Sequence, residues 1–320
     1  MRLVRPPAVP PGGRLHVVAP CGVIVDQNAV ETSAQWLRAQ GFEVTLSDQL
    51  ACCDPDAPYL AGTDAQRAKA LHEAFADPEV HAVVCARGGY GAMRLLPLLD
   101  ADLMAANPKP LIGFSDVTAL HGFLATQAGL CSLHGPLMTT LGLHLNPNTP
   151  DPHQSALAMR DALLGQGAVD IGALEVIHPG ACQGPLFGGN LSLIASMLGS
   201  PWSPDLTGAI LFVEEVGEAA YRMDRLLTTL ALTGILGKLA GLVLGDPGFV
   251  GDRYLEAQGL GAAVCQRLRT LTEGLNIPVF AGLPVGHRRH NLTMPVGASA
   301  QLSCDAHGGR LQAEAATAPI

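Results

Sequence analysis

Short apolar, β-branched runs alternate along this chain with stretches in which apolar residues recur every three or four positions. Over the first 140 residues the order is "RLHVVAP", a helical pattern at 26–40, "EVTLS", a second at 63–77, "AVVCAR", a third at 90–99, and "PLIGF". That alternation predicts a parallel sheet with helices over its faces, an N-terminal doubly wound domain. One helix start is legible in detail: Thr63 and Gln66 have the spacing of a capping box, and Ala68, Leu71, His72 and Phe75 share a face. Between about 141 and 180 the pattern breaks into "LNPNTPDPHQ" and scattered glycines, the composition of a connection. Beyond it "GPLFGGNLSLIASML" reads as a Gly-rich helix entry, "AILFVEE" and "LAGLVLGD" as strands, and 221–233 and 257–273 as helices. "IPVFAGLPVGH", "NLTMPVGASAQLSC" and "RLQAEA" read as late strands, so this half is mixed α/β. The expected organisation is an N-terminal α/β domain over 1–145, a connection over 146–183 and a C-terminal domain over 184–320, without internal repeats.

Composition narrows the partners. With 320 residues, 48% hydrophobic and 15% charged, the chain has enough apolar material for about two cores. A net charge of −9, a pI near 5.6 and no run of Lys or Arg leave no electrostatic footprint for nucleic acid or an anionic membrane. Prolines interrupt the N-terminal segment and no stretch reaches the roughly 18 apolar residues of a membrane span, so the cytoplasm is the expected location. The eight cysteines lack C-x-x-C spacing and several fall in apolar runs, as buried thiols do.

The strand "PLIGF" ends at Ser115, where "SDVTALHGFL" takes up a helical pattern. A strand that turns sharply into a helix presents its turn residue at the carboxyl edge of the sheet, where open α/β folds bind ligands. Gly113 permits a tight turn, and the amide of Asp116 would open the helix with a free N–H. The segment resembles a nucleophile elbow, although "GFSDV" lacks the second glycine of G-x-S-x-G. Taken alone, Ser115 reads more readily as a helix N-cap, a role serine fills very often. A nucleophile needs a base and a group to orient it.

His287 stands out among the eleven histidines because "IPVFAGLPVG" delivers it at another strand end. His72 and His121 fall on helices, and His144, His153 and His307 in polar loops. His287 and His290 at i, i+3 lack the H-E-x-x-H context and a third ligand, so no metal is expected. For the acid, Glu214 and Glu215 follow five apolar residues, with Glu218 in the next turn. Alternation puts 214 and 215 on opposite faces, so only one points at any one site. These acids also suit a solvated position ahead of the helix at 221. "CARGGYGAMRLL" matches neither dinucleotide nor P-loop spacing. Its Gly88 and Gly89 suit a close backbone approach to a substrate oxygen beside Ser115.

The ordered series "VVAP", "YLAGTDAQR", "ARGGYG", "LIGFSD", "HGP", "GGNL", "EEVGEAAYRMDRLL" and "GH" resembles the LD-carboxypeptidases, the serine peptidase family that includes muramoyltetrapeptide carboxypeptidase and the microcin-immunity hydrolases. The resemblance covers almost the whole chain. It implies two domains with the active site in the cleft between them, and a triad of Ser115 as nucleophile, His287 as base and acid, and Glu214 orienting His287. Glu215 stands where many relatives carry Asp. The oxyanion hole would be the amides of Gly89 and Asp116, and Tyr90, Asn190, Glu218, Tyr221 and Arg222 would line the cleft. The implied substrate is a murein tetrapeptide or muropeptide, cleaved without cofactor or metal by a homodimer. The alternative substrate is a peptidyl or aminoacyl nucleotide, and a non-catalytic binding protein on the same fold is the reading from another class.

Overall fold

The computed structural model describes residues 3–145, 154–245, 260–287 and 290–319. Five strands, β1 (Arg14–Val18), β2 (Glu43–Leu46), β3 (Val80–Cys85), β4 (Leu111–Gly113) and β5 (Ser132–His134), pair in parallel in the order β5-β4-β3-β1-β2. Period-two alternation explains why both faces are covered. Leu15, Val17, Ala82 and Val84 point to one core, and Val18, Val83 and Cys85 to the other. Helices α1 (Gln27–Ala39), α2 (Asp64–Ala76), α3 (Ala92–Leu95), α4 (Ala101–Ala106), α5 (Thr118–Phe123), α6 (Met138–His144) and α7 (Gln154–Leu163) belong to this half. The capping box forms: Gln66 N donates to Thr63 Oγ1 at 3.3 Å, and Thr63 N to Gln66 Oε1 at 2.9 Å. Ala68, Leu71 and Phe75 are buried beneath it, and so is Arg67.

The second half is a closed barrel of seven strands, in the order β10-β6-β13-β12-β7-β8-β9. These are β6 (Val169–His178), β7 (Cys182–Asn190), β8 (Ile210–Glu214), β9 (Gly241–Leu244), β10 (Val279–Ala281), β12 (Ser299–Asp305) and β13 (Gly308–Ala313). The remaining strand, β11 (Met294–Val296), leaves the barrel and pairs antiparallel with β5 at the edge of the first sheet. Helices α8 (Leu191–Met197), α9 (Ala220–Leu232) and α10 (Leu260–Thr272) complete this half.

Three readings change. The stretch 146–183 carries α7, whose Ala156, Met159 and Leu163 join the first core, and β6, which is a barrel strand; its glycines obscured both periods. In "GPLFGGNLSLIASML", Pro185–Asn190 is the end of strand β7 and only Leu191 onward is helix. His144 closes α6 rather than lying in a polar loop, while His153 and residues 257–259 of the last expected helix fall outside the described residues.

Candidate active site

The first-sheet order places its topological switch point between β1 and β3, where the connections leave in opposite directions, the place at which open α/β folds bind their ligands. The loops that follow these strands meet there: Gly22 N donates to the Gly88 carbonyl at 2.9 Å. Ser115 follows the neighbouring strand β4. Its φ of 63° is in the left-handed region, a conformation that a serine holds only when its surroundings impose it, as in a nucleophile elbow. It does not act as an N-cap; a 3₁₀ turn over Ser115–Val117 begins at it, with Val117 N donating to the Phe114 carbonyl at 3.3 Å.

What imposes the elbow is visible around it. The Gly113 carbonyl accepts from Gly135 N at 3.1 Å and lies 2.9 Å from Nε2 of His121, whose Nδ1 is 2.9 Å from Ser132 Oγ. Burial pushes His121 down to about 4, so the ring is neutral near pH 7, donating to Gly113 and accepting from Ser132. Gly88 closes the other side, where a β-carbon would lie 3.0 Å from Ser115 Cβ and 3.2 Å from its Oγ. Only glycine lets this loop approach the serine so closely. With its carbonyl turned to Gly22, the planar Gly88–Gly89 peptide turns the Gly89 N–H the opposite way.

Glu214 is the last residue of β8, 1% exposed, and its Oε2 accepts from Nδ1 of His287 at 2.7 Å. Burial raises the Glu214 carboxyl above its ordinary range, and the hydrogen bond and charge of His287 pull it back. The His287 loop is tied at three points: Gly286 N to Asn291 Oδ1 at 3.1 Å, Leu292 N to the Pro284 carbonyl at 3.0 Å, and Asn291 N to Ser155 Oγ of α7 at 2.9 Å. The Phe114 ring, one residue before Ser115, lies 4.7 Å from the His287 ring. Asn190 N donates to Thr118 Oγ1 at 3.0 Å, joining the barrel to the helix behind the serine. Phe114 thus stands between the elbow that follows it and the His287–Glu214 pair.

The other expected residues divide. Asp116 is buried and its Oδ2 accepts from Ala92 N at 2.7 Å. Tyr90 is exposed and tilted against Tyr59, 5.9 Å away. Glu218, Tyr221 and Arg222 cluster at the start of α9, with Arg222 bonding Glu218 at 3.4 Å and Tyr221 Oη at 3.2 Å. Asn190, expected to line the cleft, is 3% exposed, and both ends of its amide are engaged: Oδ1 accepts from Leu193 N at 3.2 Å and Nδ2 donates to Glu215 at 2.9 Å. Glu215 also accepts from Ser192 N, Ser192 Oγ and Val216 N, so it fastens the start of α8 rather than sitting in solvent.

Sequence reasoning quoted His134 only within "HGP" and gave it no role; it is wholly buried with its ring 5.1 Å from Phe212 and 5.8 Å from Phe114. Burial holds it well below its ordinary value. Its strand position before "GP" was the available signal. Among the described residues, no group of three or more His, Cys, Asp or Glu is disposed to hold a metal ion, and no helix is long and apolar enough to cross a membrane.

A strand-end serine at a positive φ, and a histidine paired with a buried carboxylate on the other half of the chain, are residue types and settings that serine hydrolases use. The chain belongs to the LD-carboxypeptidase family, matching its N-terminal domain over residues 15–135 and its C-terminal domain over 183–302. It is 36% identical to a putative carboxypeptidase of Streptomyces coelicolor over 309 residues, 95% of this chain and 94% of that one. It is 35% identical to the murein tetrapeptide carboxypeptidase of Pseudomonas aeruginosa over 313 residues, 95% of this chain and 96% of that one. The muramoyltetrapeptide carboxypeptidase of Oxalobacter formigenes superposes with a TM-score of 0.78 at 30% identity, covering 96% of this chain and all of the other.

Proposed function

We propose that this protein is a serine LD-carboxypeptidase that releases the terminal D-alanine from murein tetrapeptides, cutting the amide after meso-diaminopimelate or lysine. The observation that carries the reading is the 2.7 Å pairing of His287 with buried Glu214 beside the elbow that presents Ser115. Ser115 Oγ attacks the carbonyl and its proton passes to Nε2 of His287. Glu214 fixes the tautomer with Nδ1 protonated and stabilises the imidazolium. The oxyanion is met by the amides of Gly89 and Asp116, the first turned out by its bonded peptide and the second at a helix start. The imidazolium protonates the leaving amine, D-alanine departs, and water activated by His287 releases the acyl group. Exposed Tyr90, Tyr221 and Arg222 and half-buried Glu218 supply polar and aromatic contacts for the stem peptide.

The reading carries with it the cytoplasm as the place of work and a homodimer as the assembly, checked by cell fractionation and by light scattering. Its central test is mass spectrometry of a muropeptide mixture after incubation. Loss of one alanine from tetrapeptides, absent with Ser115→Ala, is the expected result. Intact tetrapeptides, with cleavage of an aminoacyl sulfamoyl nucleoside run in parallel, would instead assign the nucleotide substrate to the same triad.

A further inference from the structure

The segment "YLAGTDAQR" ends in Arg67, a residue that the proposed chemistry leaves without a task. Its side chain is 0% exposed, an expensive place for a guanidinium unless every donor is used. Nε donates to the Gly62 carbonyl at 3.1 Å, Nη1 to the Pro20 carbonyl at 2.5 Å and to the Gly91 carbonyl at 3.0 Å, and Nη2 bonds Asp64. Pro20 lies in the loop after β1 and Gly91 in the loop after β3, so one planar fork ties together the two loops that meet at the switch point.

The link extends to the serine. The Gly91 carbonyl and the Ala92 N–H belong to a single planar peptide unit. Arg67 grips its carbonyl end and Asp116, the residue after Ser115, grips its N–H end at 2.7 Å. Gly91 has φ of 120°, and a β-carbon there would lie 2.7 Å from Arg67 Nη1, so the contact requires glycine. Two residues beyond Pro20, Gly22 N holds the Gly88 carbonyl and with it the direction of the Gly89 N–H. Burial raises the Asp116 carboxyl, while the Ala92 N–H, Cys21 and the charge of Arg67 draw it down. Asp64 in turn receives Arg94 Nη2 of α3 at 2.9 Å, which fastens the far end of the loop.

We propose that Arg67 is the positioning residue of the oxyanion site: by holding the loops after β1 and β3 to one another and, through the Gly91–Ala92 peptide, to Asp116, it aims the Gly89 and Asp116 amides at the carbonyl attacked by Ser115. This rests on the serine-hydrolase reading above. The role is geometric, so its loss weakens the transition state and leaves ground-state binding alone.

The test is Arg67→Lys, which keeps a buried cation but cannot span both loops. Expected are a kcat for murein tetrapeptide lowered roughly 10- to 100-fold with KM within about threefold, and a parallel fall in the rate at which a fluorophosphonate labels Ser115. The Kd of tetrapeptide for Ser115→Ala and for the double variant should agree. Labelling at the wild-type rate in folded Arg67→Lys, or a rise in KM with kcat unchanged, overturns the proposal. Asp64→Asn leaves Arg67 in place and loosens its anchor at a partly exposed position. It should slow labelling several-fold, and an unchanged rate there overturns the proposal even where Arg67→Lys does not fold. Labelling needs no peptide substrate, so failure of wild type to cleave tetrapeptides would count against the murein reading alone.

Discussion

Ser115 and His287 are held by different means. Around the serine the constraints act on the backbone: a positive φ, two hydrogen bonds on the Gly113 carbonyl, one of them from the His121 ring, and a glycine at 88 whose missing side chain the serine fills. Around the histidine the decisive constraint is one side-chain pair, Glu214 with Nδ1 at 2.7 Å, on a loop anchored through Asn291. The contacts on the serine come from neighbouring loops of one sheet, whereas the pair joins positions 73 apart. On the proposed mechanism, the half bearing Ser115 should therefore tolerate little change in shape and the half bearing His287 and Glu214 little change in charge.

The largest effect tests the reacting atom itself. Ser115→Ala should lower kcat by roughly 10⁵-fold or more with the fold retained, because the serine side chain makes no capping bond that would be lost. Turnover close to wild type in the folded variant would remove Ser115 from the mechanism. Next comes the charge side: Glu214→Gln should lower kcat by about 10³- to 10⁴-fold with the fold retained, because an amide can hold the ring in the wrong tautomer. Glu218→Gln, assayed beside it, should raise KM more than it lowers kcat. If the two acids exchange these effects, Glu218 is the orienter.

The shape side should be broken without touching any reacting atom. Gly88→Ala places a methyl group 3.0 Å from Ser115 Cβ, and a displacement of the loop should cost roughly 100-fold in kcat. Wild-type kinetics in this variant would show that the close approach is dispensable.

The smallest effect is on stability. His121 keeps its elbow bond as a neutral ring with a value near 4, whereas the unfolded chain takes up the proton near 6.5. Below about 6.5 the unfolded state binds more protons, so stability present at neutral pH is lost as pH falls toward 4. By pH 5 this amounts to on the order of 2 kcal/mol. Buried His134 acts in the same direction, while Glu214 and Asp116, both raised, oppose it. Melting curves at pH 7 and pH 5 should show a drop in Tm that is smaller in His121→Gln. An equal drop in both proteins would place the sensitivity elsewhere.

Legibility followed the same division. The parallel strands, the capping box at Thr63 and the strand-end places of Ser115 and Glu214 are written in local periodicity, because alternation and 3.6-residue spacing act over a few residues. Strand β6 and helix α7 were hidden where glycines and prolines dilute both periods. The cleft place of Asn190 comes from the family resemblance; the partners of its amide, Glu215 and Leu193, are not legible in the chain because a sequence gives donors and acceptors but not their pairing. Arg67 stands four residues before Leu71 at the edge of the apolar face of α2, but the Pro20 and Gly91 carbonyls that satisfy its guanidinium come from distant loops and leave no local signal.

The sequence by itself determined the order of elements, the turn at Ser115, the carboxylate at the end of β8 and the histidine after "LPVG", since each depends on the conformational preferences of neighbouring residues. Which carboxylate meets His287, which glycine admits the serine and which arginine binds the loops together were decided by tertiary structure alone. Those outcomes depend on atoms brought within 3 Å or so by the docking of a barrel against a sheet, and a short-range hydrogen bond leaves no periodic trace in the chain.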